Sequence, residues 1–141
     1  MIEEDRIIFL LSKVFQKVTN NLQKALSESG LEVTPTQAMM LFFLQKNEGS
    51  SLTDIGHGLL LENPTVTGLI DRLAKLGYVN RSDHPKDRRV YLVHITEKGK
   101  LVAEKAIPIV KKLNEQIKEG FSKEEIESFK KVLIGAFNRF I

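Results

Sequence analysis

The chain of 141 residues contains no cysteine. Disulfides, thiolate zinc sites, cysteine nucleophiles and sensing by thiol oxidation are therefore excluded. Histidine is scarce too: His57, His84 and His94 stand far apart and form no i,i+4 pair, which gives a metal site little support. No apolar run approaches the roughly 20 residues that span a bilayer. The opening Met1-Ile2-Glu3-Glu4-Asp5 is acidic, whereas a signal peptide begins with positive charge. A cytoplasmic protein without membrane contact is expected. There is also no nucleotide-binding glycine loop, no G-x-S-x-G elbow and no H-E-x-x-H pair, so neither an enzyme nor a cofactor is expected.

What is present is a chain long enough to bury a core of its own. Its charge is unevenly spread. The formal net charge is +3, yet residues 1–62 carry five basic and eight acidic side chains. Residues 63–100 carry eight basic and four acidic, and residues 101–141 eight and six. The basic excess is densest in the middle third, and a dimer would present it twice.

Apolar spacing and caps divide the chain into six helices and a hairpin. Ile7, Leu10, Leu11, Val14, Val18, Leu22 and Leu26 recur at three- and four-residue steps, so the first 28 residues read as one helix, which Gly30 stops. Thr34-Pro35-Thr36-Gln37 opens a second helix with a capping box and a first-turn proline, and Met39, Met40, Phe42, Phe43 and Leu44 make it a core element. After a turn at 47–50, Ser51-Leu52-Thr53-Asp54 starts a short third helix ending near Leu60. Asn63 as cap and Pro64 in the first turn open a fourth, with an apolar stripe at Val66, Leu69, Ile70 and Leu73, ending at Gly77. Its other face shows Thr65, Thr67, Gly68, Asp71, Arg72 and Lys75.

Residues 78–81 and 90–95 are rich in β-branched and aromatic types and flank a polar turn, which predicts a β-hairpin with a basic tip. Thr96 caps a fifth helix containing Pro108, where a kink or break is expected near 103–107. Gly120 ends it, and Ser122-Lys123-Glu124-Glu125 boxes the start of a sixth.

A short helix, a tight turn and an amphipathic helix make a helix-turn-helix, whose second member fits the major groove. Thr65, Thr67, Gly68 and Arg72 suit base edges, while Ser51, Thr53, Asn63, Pro64 and Thr65 lie at helix starts suited to phosphate. Lys75 adds charge to the same helix, and Lys86, Arg88 and Arg89 at the hairpin tip can reach phosphates or a minor groove. A winged helix used only for protein contacts would have no need of that basic tip. The terminal helices are apolar on too many sides for one small domain to cover: Ile7, Leu10, Leu11, Val14, Phe129, Val132, Leu133, Phe137 and Phe140 predict a homodimer.

From Thr34 to Leu101 the residues resemble the MarR family of transcriptional regulators. The resemblance is carried by residues 33–37, 64–73 and 77–81, and by the wing pattern D-x-R-x-x-x-V-x-L-T, met here at Asp87, Arg89, Val93, Ile95 and Thr96 with Ile for Leu. It implies a mainly α fold with a small β-hairpin wing. A winged helix-turn-helix at 34–96 lies between dimerisation segments at 1–33 and 97–141. It further implies a two-fold dimer that represses transcription from a pseudo-palindromic double-stranded operator. Asp87 would brace the wing by ion pairing while Arg88 or Arg89 touches DNA. Many such proteins are released from DNA by a small, aromatic or anionic ligand. The chain departs from the family in having Leu60-Leu61 where glycine is usual and Gly68 where arginine is common. With Gly56 and Gly58 inside it, the third helix is expected to be short or mobile.

Overall fold

The computed structural model describes residues 6–140. In order along the chain are α1 (Ile7–Glu28), α2 (Pro35–Lys46), β1 (Ser50–Ser51), α3 (Leu52–Leu59), α4 (Asn63–Lys75), β2 (Val79–Asp83), β3 (Tyr91–Ile95), α5 (Glu97–Lys118) and α6 (Lys123–Arg139). The chain forms two compact units, one ending at Val110 and the other starting at Lys111, so the division falls inside α5. The first five residues of the expected first helix lie outside the described residues.

The first unit holds the core. Leu26 of α1, Met40, Leu41 and Leu44 of α2, Ile55 of α3, Val66, Ile70 and Leu73 of α4, and Val93 of β3 are fully buried together. Each such side chain contributes roughly 1.5–3 kcal/mol relative to exposure. Along α1 only Leu26 is buried; Leu10, Val18 and Leu22 are half-buried, and Ile7, Leu11 and Val14 face outward.

The caps form as their side chains dictate. The Gln37 backbone N–H donates to the Thr34 hydroxyl at 3.1 Å, and the Thr34 N–H donates to Gln37 Oε1 at 3.0 Å. The same reciprocal pair joins Ser51 with Asp54 and, in the second unit, Ser122 with Glu125. Thr96 does two things at once: its hydroxyl donates to the Gly77 carbonyl at 2.6 Å and accepts the Gly99 N–H at 3.1 Å. It thus ties the start of α5 to the end of α4.

Three local expectations are corrected. The N-cap of α4 is Glu62, with no side-chain cap bond, and Asn63 is already helical. Proline at the second helical position has no N–H to satisfy, so the helix can begin one residue earlier without stranding a donor there. Of the kink or break expected in the fifth helix, the break does not occur: α5 runs from Glu97 to Lys118 through Pro108. The turn at 47–50 ends in strand, because Ser50 and Ser51 pair with Val93 and Leu92 to give a sheet in the order β1-β3-β2. The hairpin itself is shifted slightly, with Val79 opposite Ile95 and Asp83 opposite Tyr91.

α3 is short, at eight residues, and its glycines are there for close packing. A Cβ on Gly58 would lie 2.1 Å from the Phe43 ring, and one on Gly56 would lie 2.8 Å from the Leu61 carbonyl oxygen. The helix is closed by Leu60 in the left-handed region, φ 55°, so that the Leu61 N–H reaches the Gly56 carbonyl at 2.9 Å. Leucine occupies the conformation at which glycine would be unstrained.

Leu60 is exposed, so Leu60→Gly removes strain with little loss of packing. Urea unfolding should show the variant more stable by up to about 1 kcal/mol; a destabilised variant would contradict the left-handed assignment. Gly99→Ala should do the opposite, since its Cβ would lie 2.2 Å from the Tyr78 carbonyl oxygen. A loss of about 1–3 kcal/mol is expected in the same assay.

Candidate nucleic-acid interface

α4 is fixed by one face and free on the other. Val66, Leu69, Ile70 and Leu73 are buried, while Asn63, Pro64, Thr65, Asp71, Arg72 and Lys75 are exposed and Thr67 and Gly68 half-buried. The period of 3.6 residues puts Pro64, Gly68, Asp71 and Lys75 along the line opposite the buried stripe, with Arg72 beside it. The Thr67 hydroxyl donates to the Asn63 carbonyl at 3.0 Å, which occupies its proton and leaves its oxygen as an acceptor.

The two helix starts differ. At α3 the Ser51 hydroxyl and the Asp54 carboxylate complete a capping box, and the Ser51 N–H is bound to Asp54 Oδ2 at 3.3 Å. Thr53 is exposed beside this closed cap. At α4 no side chain caps the first turn. Its opposite end is answered by Lys98, whose ammonium donates to the Leu76 carbonyl at 3.0 Å and lies 5.5 Å from the centre of the Tyr78 ring. The start of α4 thus lacks a side-chain hydrogen bond, with the acidic Glu62 beside it, while Lys98 complements the negative end of the helix dipole.

The wing tip is held by its own side chains. His84 Nδ1 accepts the backbone N–H groups of Lys86 and Asp87, both at 3.1 Å. Asp87 Oδ1 accepts the Arg89 backbone N–H at 3.0 Å and Arg89 Nε at 3.2 Å. These bonds from Arg89, side chain first and backbone second, hold the Asp87 carboxyl below its ordinary pKa. Asp87 thus pairs within the tip, with Arg89, whose side chain is still 90% exposed. Lys86 and Arg88 are exposed beside it.

Two braces tie the wing to the rest of the first unit, one to α4 and one to the turn before β1, and neither is foreshadowed by sequence pattern. Asp71 on α4 is paired with Arg81 on β2, and the Arg81 guanidinium lies 5.1 Å from the centre of the Tyr91 ring. His94 on β3 bonds Glu48 through Nδ1 at 3.0 Å and Ser82 through Nε2 at 2.7 Å, linking β2 and β3 to the turn before β1. Asp71 and Arg81 are ten residues apart, and their types carry no sign of a partnership. The pairing follows from the Gly77 turn, which folds β2 back towards α4.

Among the sequence-predicted DNA residues, those of α4 and of the wing tip all belong to the first unit and are not buried. Of the predicted dimerisation residues, Ile7, Leu11, Val14, Phe129, Val132, Leu133, Phe137 and Phe140 are exposed, and Leu10 is half-buried. Ile8, Phe9, Phe15 and Ile134, which the helical stripes do not include, are exposed as well. No residue of α6 is buried. No helix among the described residues is long and apolar enough to cross a membrane.

Residues 33–91 match the MarR family model. The chain is 29% identical over 129 residues to the helix-turn-helix-type transcriptional repressor YetL of Bacillus subtilis (strain 168), covering 92% of this chain and 77% of YetL. It is 30% identical over 111 residues to the helix-turn-helix-type transcriptional regulator YhbI of the same organism, covering 75% and 72%. Among solved structures, that of the S. aureus MepR–DNA complex superposes with a TM-score of 0.90 at 21% identity, covering 97% of this chain and all of that one (100%). This last likeness establishes the fold as a winged helix.

The tip geometry makes a direct prediction. Because its folded pKa lies below the ordinary value, the Asp87–Arg89 pair is formed at neutral pH and lost as pH falls through the lowered midpoint. Titration followed by carboxyl-carbon NMR should give Asp87 a higher midpoint in Arg89→Ala than in the unsubstituted protein. Equal midpoints would mean that the pair does not persist in solution.

Proposed function

The chain belongs to the MarR family of winged-helix transcriptional regulators, and from that premise we propose that it is a homodimeric repressor of transcription that binds a pseudo-palindromic double-stranded DNA operator. In this reading residues 34–96 bind DNA and residues 1–33 and 97–141 pair the subunits. α4 enters the major groove, with Thr65, Thr67, Gly68 and Arg72 towards base edges and Lys75 towards the backbone. Asn63 and Pro64 bring the open helix start to a phosphate, with Ser51 and Thr53 near a second. Lys86, Arg88 and Arg89 reach the flanking backbone or minor groove.

The observation that carries the reading is the union of two features in one unit. A helix with a polar outer face and an uncapped start is tied through Asp71–Arg81 to a hairpin whose tip presents three cations. Repression is carried over from the similar repressor YetL. Dimerisation is supported by the exposed apolar side chains of α1 and, separately, of α6. Release by a small aromatic or anionic ligand is carried over from the family.

The test uses duplex DNA enriched from a random pool by the unsubstituted protein. Arg88→Ala/Arg89→Ala should bind it more weakly, and the plot of log affinity against log salt should flatten by about one unit for each phosphate no longer neutralised. Unchanged affinity and slope would show that the wing does not touch DNA. Failure to enrich any sequence would favour a winged helix used for protein contacts. In sedimentation, the protein should weigh twice its 16.0 kDa chain, and Phe137→Lys should shift it towards monomer.

A further inference from the structure

A glycine inside a helix costs up to about 1 kcal/mol relative to alanine, so each one calls for a reason. For three helical glycines the reason lies within the protein. Added Cβ atoms at Gly56, Gly58 and Gly99 would stand 2.8, 2.1 and 2.2 Å from the Leu61 carbonyl, the Phe43 ring and the Tyr78 carbonyl. Gly68 differs: a Cβ there would meet nothing within 4 Å, and its φ is not in the left-handed region. Neither packing nor backbone conformation requires glycine. Gly135 on α6 is equally open, but it lies on a helix with no buried residue and falls to the subunit pairing already described.

Gly68, itself half-buried between its neighbours, sits midway along the outer face of α4, with Pro64 one turn before it and Asp71 and Arg72 one turn after. The missing side chain leaves a notch in the middle of the face that would approach DNA. Its floor is the Cα methylene, which is apolar and offers no side-chain hydrogen bond. In the major groove the one apolar feature a base pair displays is the C5-methyl group of thymine.

We propose that Gly68 is a specificity-determining residue, kept free of a side chain so that the backbone of α4 can close on a thymine methyl group in each half-site. The inference rests on the DNA-binding reading above. It deepens that reading by naming what the centre of the helix recognises. Glycine at this position then trades helix stability for depth of insertion, as glycines do wherever backbone must approach a ligand closely.

The experiment combines a protein variant with a DNA variant. Gly68→Ala should melt about 2–4 °C above the unsubstituted protein, because alanine is the better helix former and has room. It should bind the enriched duplex about tenfold or more weakly, because its own methyl group would fill the space that the thymine methyl takes. Replacing thymines one at a time by deoxyuridine removes single methyl groups. The unsubstituted protein should lose about fourfold at one position per half-site, and Gly68→Ala should lose nothing further there. A lower melting temperature for Gly68→Ala would place the demand for glycine inside the protein and overturn the proposal. So would unchanged affinity of the variant, or a deoxyuridine scan that is flat for the unsubstituted protein. If that protein enriches no duplex at all, the DNA-binding reading itself fails, which is a distinguishable result.

Discussion

Everything that the outer face of α4 can do depends on the burial of its inner face. Val66, Ile70 and Leu73 are fully buried, and Leu69 nearly so, among side chains from α1, α2, α3 and the sheet. Four such residues supply several kcal/mol of burial, enough to hold a thirteen-residue helix that would be marginal in isolation. Because the helix cannot roll, its polar residues keep fixed bearings, and a fixed bearing is what a groove-reading element requires. The wing inherits the same frame through the Asp71–Arg81 pair and the Thr96 bond to Gly77.

Much of this is legible in the sequence because the determinants are local. A capping box needs only residues three apart, and those at Thr34, Ser51 and Ser122 all form. The α4 stripe needs only the helical period. What is not legible is decided by partners distant along the chain. Ser50 and Ser51 become a strand only because β3, more than 40 residues later, lies alongside them. His94 finds Glu48 through the same long-range pairing. Pro108 predicts a kink or break, yet no break occurs and α5 continues through it. The residue type of Asn63 predicts a cap, but Glu62 takes that position without making the bond.

Leu60 and Gly68 are informative because they break local rules in opposite ways. At Leu60 a β-carbon occupies backbone space that favours glycine, and at Gly68 glycine occupies helical space that favours alanine. The first is a strain the α3–α4 turn carries. The second answers to nothing in the protein, since a Cβ there would meet no atom within 4 Å. Local departures from good folding practice are where function is expected to show. The candidate site is thus legible as a set of residues, while its braces, its open helix start and its central notch need the structure.

We propose that two such units, related by a two-fold axis, read successive major grooves. Methylation-interference and hydroxyl-radical footprinting on the enriched duplex test it most directly. Two symmetric patches of major-groove interference should stand about one helical turn apart, roughly 10–11 base pairs, each flanked by protection where a wing lies. A single unpaired patch, or protection without two-fold symmetry, would contradict it.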